Sequence, residues 1–242
     1  MLNIFPNFIF YHIEKCAGSS FRMILYNYFR NIYRKKQIFV PENGNDIIYN
    51  FMPYHINFIK NDNHFDFHNL KVILSHIRYN NFPEINKRCK FKFTIVRDPC
   101  DRLISHYYFF DYKKYNYTKI DDLSLEDFNL YCNKYSKYIA SCLGCVDKYN
   151  NILNNDKIDK RLSEFNFIIV LKNIDNEIKY FNNLLNKHFK INHKLLLLKN
   201  NVNKNKKTVK KSIINKIKII CKDDYIIYNK IKNMNCKKLI NN

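Results

Sequence analysis

The sequence predicts a single α/β domain over residues 1–242, with a central, mainly parallel sheet flanked by helices. Short apolar runs of strand length alternate with segments whose apolar residues recur at helical spacing. That alternation is the pattern of a sheet built by crossover connections. No internal repeat and no linker-like stretch divides the chain. A domain of 242 residues buries roughly 70% of its unfolded surface, which is enough for one extensive core.

Each element has its own signal. Residues 7–12 are rich in Phe, Ile and Tyr and read as a buried strand. After the polar turn 13–20, apolar residues at Phe21, Ile24, Leu25, Tyr28 and Phe29 make one helical stripe. The Asn- and His-rich stretch 41–69 reads as irregular with short helical pieces. Residues 71–75 and 91–96 read as two more buried strands. Asp98-Pro99 then opens a helix, because Asp is a favoured N-cap and Pro a favoured first helical residue. A helix is expected over 124–139 and a strand over 165–170. The next helix carries Ile174, Ile178, Phe181 and Leu185 on one face. A short strand at 195–198 and two Lys-rich helices, near 208–220 and 223–235, complete the chain. The basic run 204–211 reads as a solvated face.

Composition restricts function less sharply. Lys and Arg number 42 against 21 Asp and Glu, a formal charge of +21, which favours anionic partners of some kind. Only 3 Gly and 5 Pro occur among many Asn, Ile and Lys, as an AT-rich coding sequence would give, so the charge does not choose among those partners. The first ten residues lack the basic start of a signal peptide. No run approaches the ~20 apolar residues of a membrane span. The expectation is a soluble, by default cytoplasmic protein. Of eight cysteines, only Cys142 and Cys145 form a C-x-x-C, with no second pair at zinc spacing. Thiols, a local disulfide or a metal site all remain open readings there, and no metal site is expected elsewhere.

Chemistry concentrates in three segments. The first is His12-Ile13-Glu14-Lys15-Cys16-Ala17-Gly18-Ser19-Ser20, between strand and helix. Small residues let the backbone approach an anion closely, and the N–H groups that open the following helix are unpaired donors backed by the helix dipole. Lys15 adds a mobile charge at the mouth. The loop does not match G-x-x-x-x-G-K-[ST], so a nucleoside-triphosphate P-loop is not indicated. The second segment is Thr94-Ile95-Val96-Arg97-Asp98-Pro99-Cys100-Asp101-Arg102-Leu103-Ile104-Ser105-His106-Tyr107-Tyr108. It delivers Arg97 to a strand end, where open α/β sheets place ligands. An ion pair with Asp98 or Asp101 is the structural alternative for Arg97; for Ser105 it is a bond to its own helix backbone. The third segment, Ile73-Leu74-Ser75-His76-Ile77-Arg78-Tyr79, brings His76 to the end of another strand.

A strand ending in V-R-D-P-x-x-R-x-x-S-x-Y-Y, about 80 residues after an H-x-x-K-x-x-G-x-S loop, resembles the sulfotransferases that use 3′-phosphoadenosine 5′-phosphosulfate (PAPS). The likeness is greatest to the carbohydrate group, including the uronyl 2-O-sulfotransferases of heparan and chondroitin sulfate. It extends to 167–185, and more loosely to Asp224 and Tyr225. It implies the P-loop-like nucleotide-binding fold of that family, with no bridging metal. It implies that Lys15, Cys16, Ala17, Gly18, Ser19 and Ser20 hold the 5′-phosphosulfate, that Arg97 and Ser105 bind the 3′-phosphate, and that His76 is the catalytic base with Lys15 assisting the leaving group. Glu14 and Glu84 are the fallback bases. Departures from the family pattern are Glu14 in place of a usual proline, His12 where an Arg can occur, and Cys16 where Thr is commoner.

The expected activity is sulfuryl transfer to a hydroxyl, with a carbohydrate, possibly polyanionic, as acceptor and no nucleic acid as partner. Clustering of Arg78, Lys87 and Arg88 beside His76 is the expected mark of a polyanion site. The rival from another class is a non-catalytic basic module that binds nucleic acid or an acidic glycan; it accounts for charge but not for the ordered motifs. A nucleotide kinase is disfavoured by the absent P-loop.

Overall fold

The computed structural model describes residues 6–34, 37–39, 71–76, 78–81, 83–195 and 208–240. Within them the chain forms β1 (Phe8–Tyr11), α1 (Gly18–Phe29), β2 (Ile38–Phe39), β3 (Val72–Ser75), α2 (Pro83–Arg88), β4 (Phe91–Val96) and α3 (Pro99–His106). After a π-helical turn, Tyr107–Asp111, come α4 (Leu125–Tyr135), α5 (Tyr138–Cys142), α6 (Asn155–Ser163), β5 (Phe167–Val170), α7 (Ile174–Phe189), α8 (Lys211–Ile220) and α9 (Lys222–Ile240).

The strands make one sheet in the order β2-β3-β1-β4-β5, and every pairing is parallel. Four strands have four to six residues; β2 is a two-residue edge. β1, β3, β4 and β5 are buried at every position, as expected where both faces are covered. Side-chain alternation sorts them into two cores. Phe8, Phe10, Leu74, Phe93 and Phe167 pack with Phe21 and Leu25 of α1 and Phe181 and Leu185 of α7. Ile9, Tyr11, Ile73, Val96 and Ile168 face α5, α6 and α9 on the other side. A third cluster joins α3, α4 and α8 through Leu103, Tyr107, Tyr131 and Ile217.

The predicted strands at 7–12, 71–75, 91–96 and 165–170 all form, and the parallel sheet with them. Three readings need correction. The expected helix over 124–139 is two helices, α4 and α5, separated at 136–137. Helices α2 and α6 and the edge strand β2 were not foreseen. Leu195 is not in a strand, and 196–198 lies outside the described residues, as does the stretch 41–69.

Chain direction fixes where a site can lie. The connection after β1 runs toward β2 on one side of the sheet, and the connection after β4 runs to β5 on the other. Adjacent strands whose connections leave in opposite directions open a crevice at their carboxyl ends. Here that crevice lies between the loop after Tyr11 and the turn after Val96.

Candidate functional site

The loop from His12 to Ala17 is shaped by backbone conformation more than by glycine. Lys15 and Ala17 stand at φ 63° and 61°, flanking Cys16 outside that region. Left-handed non-glycine residues cost of order 1–3 kcal/mol each and cluster at binding sites. Alternation of this kind turns successive N–H groups toward one point, the arrangement of an anion-binding concavity. Ala17 is the N-cap of α1 and supplies no side-chain cap, and the first turn carries no acidic residue. The N–H groups of Gly18 and Ser19 are thus donors that a helix start leaves for an anion. Ala17 and Ser19 are exposed and Ser20 half-buried, whereas Cys16 and Gly18 are buried. Burial raises the Cys16 thiol to about 12, so it is a packing group.

Lys15 is half-buried, with its Nζ 3.6 Å from the centre of the exposed Phe109 ring. Burial, with the Arg97 charge second, lowers its ammonium below the usual lysine range. Arg97, at the end of β4, donates from Nη1 to the Lys15 carbonyl at 3.4 Å. One bond therefore ties the two motifs across the crevice. Among the described residues, no ion pair joins Arg97 to Asp98 or Asp101. Asp98 instead accepts from the Cys100 and Asp101 N–H groups as the N-cap of α3, as its sequence predicts. The Tyr225 hydroxyl donates to the same carboxylate at 2.8 Å, joining α9 to this turn. Ser105 lies on α3 two turns after that cap and is half-buried.

His76 follows β3 on the other flank of β1. Tyr11 pairs with Ser75 on one side and Thr94 on the other, so His76 and Arg97 bracket the start of the loop. The His76 Nδ1 lies 2.9 Å from the His12 carbonyl. A carbonyl only accepts, so a ring bonded there carries a proton on Nδ1, and Nε2 is the basic nitrogen of that tautomer.

Of the fallback bases, Glu14 is 5% exposed, with Oε2 3.6 Å from Nε2 of buried His106, and is turned into the interior. The Glu84 side chain lies outside the described residues. Arg78, Lys87 and Arg88 are exposed; Arg78 reaches Ser141 Oγ at 3.4 Å.

Sequence reasoning assigned no role to Arg102, which is 0% exposed. Its guanidinium lies 4.5 Å over the Tyr138 ring and donates to the Tyr135 carbonyl at 3.3 Å. Buried Asp224 accepts from the N–H groups of Ile139 and Ala140, which fixes α5. Burial raises this carboxyl to about 7 against the pull of Arg102 and of those two donors. The second R of the R-D-P-x-x-R pattern was the available signal, but its burial depends on α4 and α9, far away in sequence. Cys142 and Cys145 are buried free thiols, so the open choice at the C-x-x-C resolves to packing. Among the described residues, no group of three His, Cys, Asp or Glu is placed to hold a metal, and no helix is long and apolar enough to cross a membrane.

The sequence model of the sulfotransferase family matches residues 4–230. The chain belongs to the sulfotransferase family. That match spans the loop after β1, the His76 strand end and the whole Arg97 segment in one piece. No curated protein matches the chain.

Proposed function

We propose that this sulfotransferase moves a sulfuryl group from PAPS to a hydroxyl, and that the acceptor is a carbohydrate. The observation that carries the reading is convergence: the loop at 15–20, Arg97 and His76 come from three adjacent strands to one crevice at the sheet edge. The residues fit such a donor. The uncapped start of α1 and Lys15 suit the phosphosulfate, and the planar fork of Arg97, with the Ser105 hydroxyl, suits a terminal phosphate. When bound, PAPS supplies an activated sulfuryl group on a nucleotide leaving group.

The chain's own contribution is positioning and charge. The N–H groups of Gly18 and Ser19 hold oxygens in place without reorganising, and Lys15 neutralises charge that grows on the departing oxygen. Nε2 of His76 takes the proton of the acceptor hydroxyl during attack. The His12 carbonyl, already bonded to Nδ1–H, strengthens its bond as the ring becomes cationic. The exposed Arg78, Lys87 and Arg88, near His76 in sequence, support a polyanionic sugar chain as acceptor.

Thermal shift with adenosine 3′,5′-bisphosphate against ATP with Mg²⁺ tests the donor assignment. Stabilisation by the bisphosphate is expected; stabilisation by ATP and Mg²⁺ alone would overturn it. Transfer from labelled PAPS to a panel of glycans, tyrosine peptides and small alcohols tests the acceptor, and sulfation of the peptides alone would remove the carbohydrate.

A further inference from the structure

The His12 side chain touches both the phosphate loop and His76. It follows β1, on the side of Phe10, and its ring stacks on Phe10 with centroids 5.7 Å apart and planes 10° apart. Its other neighbour is His76, whose ring lies 3.8 Å away at 27°. The edge of the ring presses on Gly18: a Cβ there would stand 1.6 Å from Cδ2 and 2.0 Å from Nε2. The main chain of His12 is equally committed. Its N–H donates to Ser75 at 2.9 Å, and its carbonyl accepts from His76. The ring is only 6% exposed, and its Nδ1 meets no hydrogen-bond partner among the described residues. A buried polar nitrogen left so is a cost that an apolar residue of this size would avoid.

We propose that His12 is a positioning residue that couples the phosphate loop to His76, its flat ring and its carbonyl together setting the orientation and tautomer of the His76 imidazole. The ring is a plate between Gly18 and His76, so any displacement of the loop is passed to the base. Burial, then the neighbouring His76, Arg22 and Lys15, lower the basicity of His12 well below the ordinary histidine range. The plate therefore stays neutral and does not oppose the charge that His76 gains. The assignment rests on His76 being the base.

The test compares His12→Phe with His12→Leu. Both fill the volume and keep the carbonyl; only Phe keeps a flat face. His76 tautomer is read by ¹⁵N NMR of histidine-labelled protein, alongside kcat and the affinity for adenosine 3′,5′-bisphosphate. His76 is expected in the Nδ1–H form in the wild type and in His12→Phe, and as a mixture in His12→Leu. Turnover in His12→Leu should fall about 10-fold or more, the scale of a misplaced catalytic group, with His12→Phe much closer to wild type. Equal turnover and equal tautomer in Phe and Leu variants would overturn the proposal, as would a wild-type His76 protonated at Nε2. If neither variant folds, the wild-type spectrum still decides. Normal turnover in His76→Ala would instead remove the base assignment, and the NMR comparison would separate that failure from this one.

Discussion

Replacing Gly18 with Ala sets two effects of opposite sign against each other. Gly18 opens α1 outside the left-handed region, so its backbone accepts Ala. In a helix, Gly is worse than Ala by roughly 0.5–1 kcal/mol, so propensity alone predicts a gain. The packing predicts a loss. The added methyl would stand 1.6, 2.0 and 2.6 Å from Cδ2, Nε2 and Cγ of His12, where carbon atoms prefer about 3.5–4.0 Å. The ring would have to retreat by close to 2 Å, yet Phe10 and His76 hold its faces. Overpacking of a tight core costs about 1–3 kcal/mol and occasionally more, so the clash wins. At 242 residues each kcal/mol lowers the melting temperature by about 2–4 °C. Gly18→Ala should therefore melt several degrees lower and bind adenosine 3′,5′-bisphosphate more weakly, because α1 and its N–H groups are displaced. Combining it with His12→Ala removes the obstruction, so the double variant should lose less than the two single losses added. A Gly18→Ala protein as stable as the wild type, or strict additivity in the cycle, would refute the packing described for this loop.

Further outcomes follow from the same geometry. Arg97→Ala should weaken the bisphosphate by about 10- to 100-fold, since a hydrogen bond to a charged group is worth about 1.5–3 kcal/mol; calorimetry should show a much smaller loss for adenosine 5′-phosphosulfate, which lacks the 3′-phosphate. His76→Ala should lower turnover by about 10²-fold or more at nearly unchanged bisphosphate affinity, while Lys15→Ala should lower both, as single-turnover and binding measurements will show. Asp224 has a carboxyl raised to about 7 in the fold, so its stabilisation is full below about pH 4 and is lost as pH rises through 7. Denaturation curves should show that loss in the wild type and not in Asp224→Asn, and parallel pH profiles would contradict it. Inhibition by heparin-like chains should weaken steeply with salt, because exposed charges are screened over about 8–10 Å at physiological ionic strength; salt-independent inhibition would point away from a polyanion site.

What was legible in the sequence is what is local in it. Apolar runs gave four of the five strands, and the parallel arrangement followed from the alternation of strand and helix. Asp98-Pro99 announced both the cap and the start of α3, and the cap bonds are present. The positions of the loop, Arg97 and His76 were each readable because all three lie just past strand ends, where open α/β sheets place ligands. The support beneath the site was not readable. Arg102 looks like a surface residue until Tyr138 and Asp224 arrive from α5 and α9. The Tyr225–Asp98 bond spans 127 residues, and no periodicity announces it. The break between α4 and α5 was missed because the apolar pattern continues through it. Cooperation between His12 and His76 depends on two strands pairing in one register, a property of the sheet and not of either segment.

The departures of this loop from the pattern it resembles have a common physical sense. His12, Glu14 and Cys16 are 6%, 5% and 0% exposed, whereas Ala17 and Ser19 are exposed. The groups available to an anion are the N–H donors and Lys15; the three unusual side chains lie on the inner surface of the loop. A proline would shape this turn by fixing φ and giving up a donor. Glu14 provides a different constraint: its carboxylate meets His106 in the interior, and it bonds the Tyr138 hydroxyl. Leaving a buried hydrogen-bond partner unsatisfied costs about 1–3 kcal/mol, more than the conformational advantage of a single proline, about 0.4–1 kcal/mol. His106 in turn lies 3.4 Å from Asp111 at the end of the π-helical turn that carries Phe109, the ring beneath Lys15. The inward residues thus anchor the loop from Glu14 to the turn holding the Lys15 contact. Substitutions at these positions change how firmly the loop is held, while Lys15 and the N–H groups of the proposed anion site stay in place.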